Sequence, residues 1–303
     1  MNNINRSDVS TLIEDAYSQV LLESAVAGSQ ALQAFPTVNL GTKTTPNMPM
    51  LAALPQAGWV TEDIGDSSST KPTSEVRWKN TTMVVEEIAV IVPVHEDVLA
   101  DATTDVLNEV SQLAGQAIGQ KLDQAIIWGT GKPASWTSAS LYPAALAASQ
   151  TQAITSGAAN AADIVGAVNT TAARIAGLGL LPDTLLANLT FRYEVANIRD
   201  ANGLPIFRDE SFAGYATSFS RNGTWDSSRA KCLVVDSSRV RVGVRQDITV
   251  KFLDQATVGG INLAEKDMVA LRFKARYGYV LSSGATAQSS APVPVAAVIN
   301  PGS

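Results

Sequence analysis

Residues 83–102 read MVVEEIAVIVPVHEDVLADA. In the first half, Val84, Ile88, Val90 and Val92 fall on one face of an extended chain. Met83, Val85, Ala89 and Ile91 fall on the other, which predicts a strand buried on both sides in its later half. From His95 the period changes. Leu99, Ala102, Val106, Val110, Leu113, Ala117, Leu122, Ala125 and Ile126 keep a helical stripe, predicting a long helix over 95–128. Pro93 precedes it, and Glu96, Asp97 and Asp101 favour its start. Gly115 and Gly119, four apart, cost helix stability and imply that another backbone comes close. Gly129 and Gly131 end the helix. A long strand that feeds a long helix, with further strands downstream, reads as α+β.

Upstream, residues 57–94 read as one long hairpin. Its first strand holds Trp59 and Val60, its tip is polar from Asp63 to Pro72, and its return strand runs from Glu75 towards Val92. A two-stranded hairpin of that length is marginal alone, so its outer half is expected to rest on another chain. Residues 29–56 carry five prolines and glycines and read as extended and irregular. Residues 7–27 read as a helix with Ser7 as N-cap and Gly28 as stop. Val9, Leu12, Ile13, Ala16, Tyr17, Val20 and Leu21 make one apolar stripe, either a core helix or an arm docked on a neighbouring subunit.

Downstream, residues 132–160 look like loop and 161–177 like a helix of small apolar residues. Leu185 and Leu186 belong to a short buried strand, and 191–199 to another helix. Strands are expected at 232–235, 240–244, 248–253 and 268–281. The tail from Ser282 has little reason to be ordered, although Val295 to Ile299 could add an edge.

The chain has 303 residues, with 22 Lys and Arg against 28 Asp and Glu, a net charge of −6. That balance disfavours a basic nucleic-acid binder. Charged residues make up 17%, against roughly 25% in average soluble chains. A surface so poor in charge is expected to be covered in part by other subunits. One Cys and one His exclude a disulfide scaffold and the usual zinc sites. No apolar run reaches the ~20 residues that span a bilayer, and the polar N-terminus shows no secretory signal.

No constellation for catalysis emerges. Gly129-Thr130-Gly131-Lys132 lacks the Gly that a phosphate loop needs at Ile126, and Pro133 stands where its Ser or Thr belongs. There is no Gly-x-Ser-x-Gly elbow, and His95 beside Glu96 and Asp97 reads as a solvated first turn. Cys232 opens an apolar strand and reads as buried filler. Glu86 and Glu87 are adjacent in a strand and point to opposite faces. Asn80, Asn169, Asn188 and Asn222 begin N-x-Thr triplets that have no glycan meaning without a secretory route. Arg272, Lys274, Arg276 and Tyr277, like Arg77, Trp78 and Lys79, read as a salt-linked or subunit face rather than a phosphate-binding stripe.

The order of these parts resembles the major capsid protein family of tailed bacteriophages, whose Hong Kong phage capsid fold is shared with encapsulins. AGWVTED (57–63) resembles the entry to that family's extended hairpin loop, and residues 83–102 its strand leading into the spine helix. LDQAIIWGTGKP (122–133) is similar to the end of that helix. RDANGLPIF (199–207) and GYATSF (214–219) resemble its axial-domain turn. CLVVDSSRVRVGVRQDITVKF (232–252) and MVALRFKARYGYVL (268–281) resemble its closing strands.

The resemblance implies an N-terminal arm over 1–56 and an extended hairpin loop over 57–82. It implies a peripheral domain with the spine helix over 83–150, an axial domain over 151–245, peripheral return strands over 246–285 and a tail over 286–303. It also implies pentamers and hexamers that close into an icosahedral head around double-stranded DNA, assembled in the host bacterial cytoplasm. The implied role is structural, without catalytic residues, metal, cofactor or membrane. Contact with the packaged DNA is expected to be weak and non-specific, and portal and decoration proteins are implied partners. Because Met1 leads directly into the arm, any scaffold is expected to be a separate protein. Candidate subunit contacts are Val9, Leu12, Ile13 and Tyr17 on the arm, with Trp59, Glu62, Arg77, Trp78 and Lys79 on the hairpin. Some members cross-link a hairpin Lys; Lys71 and Lys79 lie in that region, but no catalytic acid or partner for it is visible. The alternative within the same fold is an encapsulin shell that holds an enzyme cargo.

Overall fold

The computed structural model describes residues 24–25, 28–41, 45–55, 74–97, 106–154, 161–198, 214–245 and 249–300. The elements in chain order are α1 (Gln30–Ala34), β1 (Thr37–Asn39), β2 (Asn47–Ala53), β3 (Arg77–Thr82), β4 (Val85–His95) and α2 (Val106–Asp123). A π-helical turn (Gln124–Trp128) extends α2. There follow α3 (Leu141–Ala147), β5 (Thr151–Ala153), α4 (Ala161–Ala176), β6 (Thr184–Asn188), α5 (Leu189–Ala196), β7 (Ala216–Ser220), β8 (Cys232–Val235), β9 (Val240–Val244) and β10 (Thr249–Leu253). A small β11–β12 pair (Thr257–Val258, Ile261–Asn262), β13 (Met268–Leu281) and β14 (Val295–Ile299) complete the chain.

Two sheets carry the fold. In the first, β13 is central. Eleven residues of β4 ladder antiparallel along one side of it, from Val85↔Gly278 to His95↔Met268. β10 and β9 follow one another along its other side, and β1 adds parallel to β9. One face packs on α2 and its π turn. Val90, Val92, Leu271, Phe273 and Tyr277 meet Ile118, Leu122 and Ile126 in the main core.

The second sheet runs β5-β14-β8-β6-β7 and is buried on both faces. Leu186, Leu233, Val235, Val295 and Ala297 face the main core. Leu185, Ala187, Cys232, Val234, Ala296 and Val298 face a second core with α4 and α5. Burial on both faces explains why these strands are nearly continuous apolar runs.

Several expectations need correction. The strand of 83–102 runs through Pro93 to His95, so Pro93 sits inside the strand, and helical residues follow at once with Glu96 and Asp97. Proline is tolerated there because, among the described residues, β4 is an edge strand. Its later half is packed on one face only: Ile88, Val90 and Val92 lie on the core, while Ala89 and Ile91 are exposed. The return strand of the hairpin breaks at Met83-Val84 into β3 and β4, which belong to different sheets. Among the described residues the partner of β3 is β2, from the stretch read as irregular; the expected first strand at Trp59 and Val60 lies outside the described residues. Residues 132–160 contain α3 and β5 rather than loop alone. β14 is no edge but lies between β5 and β8, with Val295 to Val298 fully buried.

A carboxylate in that sheet would be buried without a partner. Val298→Asp is expected to destabilise the unassembled subunit by roughly 3 kcal/mol or more. Urea unfolding measures this, and an unchanged midpoint would contradict the central placement of β14.

Candidate assembly interface

The site begins with the β2–β3 ribbon, because it is the least self-sufficient part of the chain. Asn47 pairs with Thr82 at its base and Leu51 with Trp78 further out, with a register shift between Leu51 and Ala53. Among the described residues the ribbon is a sheet of two strands, too few to be stable alone in water. Arg77, Trp78 and Lys79 are all exposed, and Trp78 keeps 67% of its surface. Val76 and Leu54 nearby are also exposed. The Arg77–Glu75 pair, 2.9 Å apart, lies in open solvent and contributes little.

The root of the ribbon is fixed. Met83 is fully buried against Leu40 and Val280, and its backbone N–H donates to Pro46 O at 3.0 Å. Its side chain fills a socket that only glycine can form. A Cβ on Gly278 would lie 2.7 Å from Met83 Cγ, and one on Gly243 would collide with Met83 Sδ. A rigid root therefore carries the ribbon: β2 is tied to the body, with Ala285 N donating to Leu51 O at 2.7 Å, while β3 is exposed along almost all of its length.

The second candidate element, the arm, is described only where it meets the body. Val9, Leu12, Ile13 and Tyr17, like Trp59 and Glu62 of the hairpin, lie outside the described residues. At the root, Ser24, Ala25 and Gly28 are helical and Ser29 breaks the helix, which agrees with Gly28 as the stop. Gly119 of α2 is where the arm root crosses: a Cβ there would sit 2.9 Å from Ala25 O and Gly28 C. That is the close backbone approach expected of the helix glycines.

Next to this crossing lies Asp123, which sequence reasoning missed. Its carboxylate is fully buried and accepts from Ser29 Oγ (2.7 Å), Gln30 N (2.8 Å), Ala31 N (3.0 Å) and Asn222 Nδ2 (2.6 Å). Asn222 Nδ2 also donates to Gly28 O at 2.7 Å. Asn222 was dismissed as the start of a glycan triplet. In the fold it ties the arm root, the end of α2 and the turn after β7 into one knot. Burial pushes the Asp123 carboxyl above its usual range, against the pull of these four hydrogen bonds. No spacing in the sequence marks two residues 99 apart as partners.

The remaining candidate groups are engaged. On the face of the first sheet that points away from the core, Lys274 and Arg276 reach Glu87 at 2.8 and 3.3 Å. The Lys274 hydrogen bond holds the Glu87 carboxyl below its usual range. Tyr277 points to the opposite face and is buried. This is a salt-linked face. Lys132 Nζ donates to Ser138 O at 2.8 Å. His95 closes β4 opposite Met268 and is exposed at a strand end, not in a helix turn. The Cys232 thiol is fully buried, which pushes its pKa far up and removes it as a nucleophile. Among the described residues no three His, Cys, Asp or Glu are grouped to hold a metal, and no helix is long and apolar enough to cross a membrane.

The Phage capsid family model matches residues 10–286. A solved structure from Mycobacterium phage Bobi is 59% identical, with a TM-score of 0.82 and 100% of both chains covered. One from Mycobacterium phage Cain is 53% identical, with a TM-score of 0.83 and again 100% of both chains covered. One from Microbacterium phage Oxtober96 is 38% identical over 90% of this chain and 91% of that chain, with a TM-score of 0.79. No curated protein matches the chain.

The buried carboxyl sets a pH test. The unfolded carboxyl titrates near pH ~4, and in the fold its pKa is raised. Between those two values the folded chain holds more protons than the unfolded one, so stability falls as pH rises and levels off above the native pKa. Asp123→Asn loses that slope and leaves backbone donors unmet, at a cost of about 1–3 kcal/mol. In urea unfolding the gap between wild type and Asp123→Asn should therefore be widest near pH 4 and shrink as pH rises. A gap that widens with pH would contradict the raised pKa.

Proposed function

The chain belongs to the phage capsid family and is a structural major capsid protein of a virion, and on that premise we propose that it works by self-assembly alone. Copies close as pentamers and hexamers into an icosahedral head around double-stranded DNA, and assembly takes place in the host bacterial cytoplasm. The arm and the hairpin loop are the parts that reach onto neighbours, and the candidate contacts Val9, Leu12, Ile13, Tyr17, Trp59, Glu62, Arg77, Trp78 and Lys79 belong to them. The observation that carries this reading is the ribbon, anchored by Met83 and bare at Trp78, on a chain similar over its full length to phage capsid structures.

The chemistry supports a role without catalysis. The titratable groups that depart most from their usual values, Asp123, Cys232, Tyr277 and Tyr279, do so through burial in cores and knots. They do not converge on a cleft. Large interfaces repeated with closed symmetry supply the stability of a shell, and many weak contacts add up through multivalency. A net charge of −6 suits a wall that holds DNA without gripping its phosphates. A separate scaffold, a portal and decoration proteins complete the proposed set of partners. The encapsulin alternative gains nothing from the fold or from the relatives, which are phage proteins.

Expression of the chain alone tests the proposal. Size-exclusion chromatography and negative-stain microscopy should show closed shells or capsomers, and a monomer at every concentration would overturn it. Trp78→Ala should change subunit stability by no more than about 0.5 kcal/mol, as for an exposed residue, yet lower the yield of shells. A large loss of subunit stability with normal assembly would show that Trp78 serves its own chain instead.

A further inference from the structure

Among the described residues, strand β4 has one side paired and one side open. The pairing fixes which backbone groups point where. Glu96 N donates to Asp267 O at 3.0 Å, and on the far side of β13 Arg245 N donates to Arg276 O at 3.1 Å. The odd-numbered residues of β13 therefore turn their backbone groups to β4, and the even-numbered ones turn to β9. By the register, β13's odd residues oppose Glu86, Ile88, Val90, Val92 and Val94. Those five spend their backbone groups on β13. The alternate residues, Val85, Glu87, Ala89, Ile91 and Pro93, turn theirs outward. Pro93 agrees with this parity, since it has no N–H to give β13.

Among the described residues nothing pairs with that outer edge. It is a row of backbone donors and carbonyls along an 11-residue strand, a ready template for another strand. Its side chains are small and partly apolar: Ala89 is exposed and Ile91 keeps 42% of its surface. At one end Pro93 removes a donor and stops the ladder. At the other end Val84 and the buried Met83 turn the chain out of the sheet.

We infer that the outer edge of β4 pairs antiparallel with β4 of a second copy about a two-fold axis centred on Ala89, joining two first sheets across a subunit boundary. This rests on the capsid reading. A two-fold contact uses the same surface on both partners, and a strand edge is self-complementary in that sense. Centring on Ala89 uses every outward group of Glu87, Ala89 and Ile91, and at the end rungs only Val85 O lacks a donor, because Pro93 has no N–H. It sets Glu87 of one copy against Ile91 of the other, beside the other copy's Arg272, which lies across the rung from Ile91. The cations Arg272, Lys274 and Arg276 stay one strand back from the axis on each side. Their separation across it then exceeds the ~10 Å over which exposed charges act at ordinary salt.

The single native Cys is buried, so an introduced thiol reports cleanly. In an antiparallel hydrogen-bonded pair the two Ala89 Cα atoms would lie about 5.5 Å apart, within disulfide reach. Ala89→Cys shells, oxidised and run without reductant, should migrate mostly as dimers. His95→Cys shells should stay monomeric, because the register holds those two positions about 40 Å apart. Monomers from Ala89→Cys shells, or equal dimers from both variants, would overturn the proposal.

Should Ala89→Cys fail to assemble, hydrogen exchange on wild type decides. The amides of Glu87, Ala89 and Ile91 should slow at least tenfold from free subunit to shell, while Val90 and Val92 are already slow in the subunit. Equal rates for the three in both states would sink it. Wild-type microscopy separates the two failures. A monomer at every concentration removes the self-assembly reading and this pairing with it, whereas shells without thiol pairing remove the pairing alone.

Discussion

Strand β13 is the constraint on which the first sheet depends. Fourteen residues long, it pairs with β4 along one flank and with β10 and β9 along the other. Its inward side chains, Leu271, Phe273, Ala275, Tyr277 and Tyr279, form the floor on which α2 lies. A shift of one residue would turn these inward positions to solvent and bring Arg272, Lys274 and Arg276 into the core. That penalty fixes the register, and the register fixes everything hung from β4. It sets where the Met83 socket falls, how the ribbon leaves the body, and which backbone groups β4 spends on its own chain.

Asp123 does for the arm root what β13 does for the sheet. A carboxylate with no solvent contact is costly to bury, and four donors from two separate stretches, Ser29–Ala31 and Asn222, offset that cost. Removing any donor leaves a buried charge less well met. The arrangement therefore discriminates strongly among positions of the arm root and allows one. Ser29 serves both sides, since its Oγ donates to Asp123 and accepts from Leu32 N at the start of α1. Below it, Gly119 lets the two backbones touch.

The parts of this fold that were legible in the sequence are those where a periodic pattern and a stop signal coincide. β13 alternates from Leu271 to Tyr277, and its bounds match the expected 268–281. α4 and β8 were similarly clear, and Gly129, at φ +74, ends the long helix as expected. The failures have physical causes. β14 is Val-Ala-Ala-Val-Ile among Ser and Pro. Alanine is a poor strand former, and only burial on both faces by two cores makes this stretch a strand. β2 contains Pro49, which argues against a strand except at an edge, and the ribbon is nothing but edges. α3 is a short helix in an Ala- and Ser-rich run with no stripe to see, held by the Trp128–Tyr142 ring contact at 5.3 Å. Asp123, Asn222 and the glycine socket around Met83 depend on residues far apart in sequence, which no local pattern encodes. The arm and the outer hairpin were read from the same kind of pattern, and their candidate residues stand or fall with assembly.

Stability of the subunit and incompleteness of its surface have separate origins here. The two cores and the Asp123 knot are built from one chain. The ribbon and the outer edge of β4 are not satisfied. A two-stranded ribbon loses little if Trp78 is solvated, and an open strand edge is hydrated at modest cost, so each subunit tolerates its bare parts while free. In contact with a neighbour, each bare part gains only a little. That balance favours error correction, because a subunit added in the wrong place gains too little to stay. In the proposed shell the same small gains, made by every subunit at once, would add to the larger interfaces. Stronger edges would give faster association and more trapped mistakes, which is the hazard long open strands carry elsewhere. Pro93 and Glu87 on β4 limit the length of the open edge and add charge to it, which in the proposed pairing would keep the contact weak.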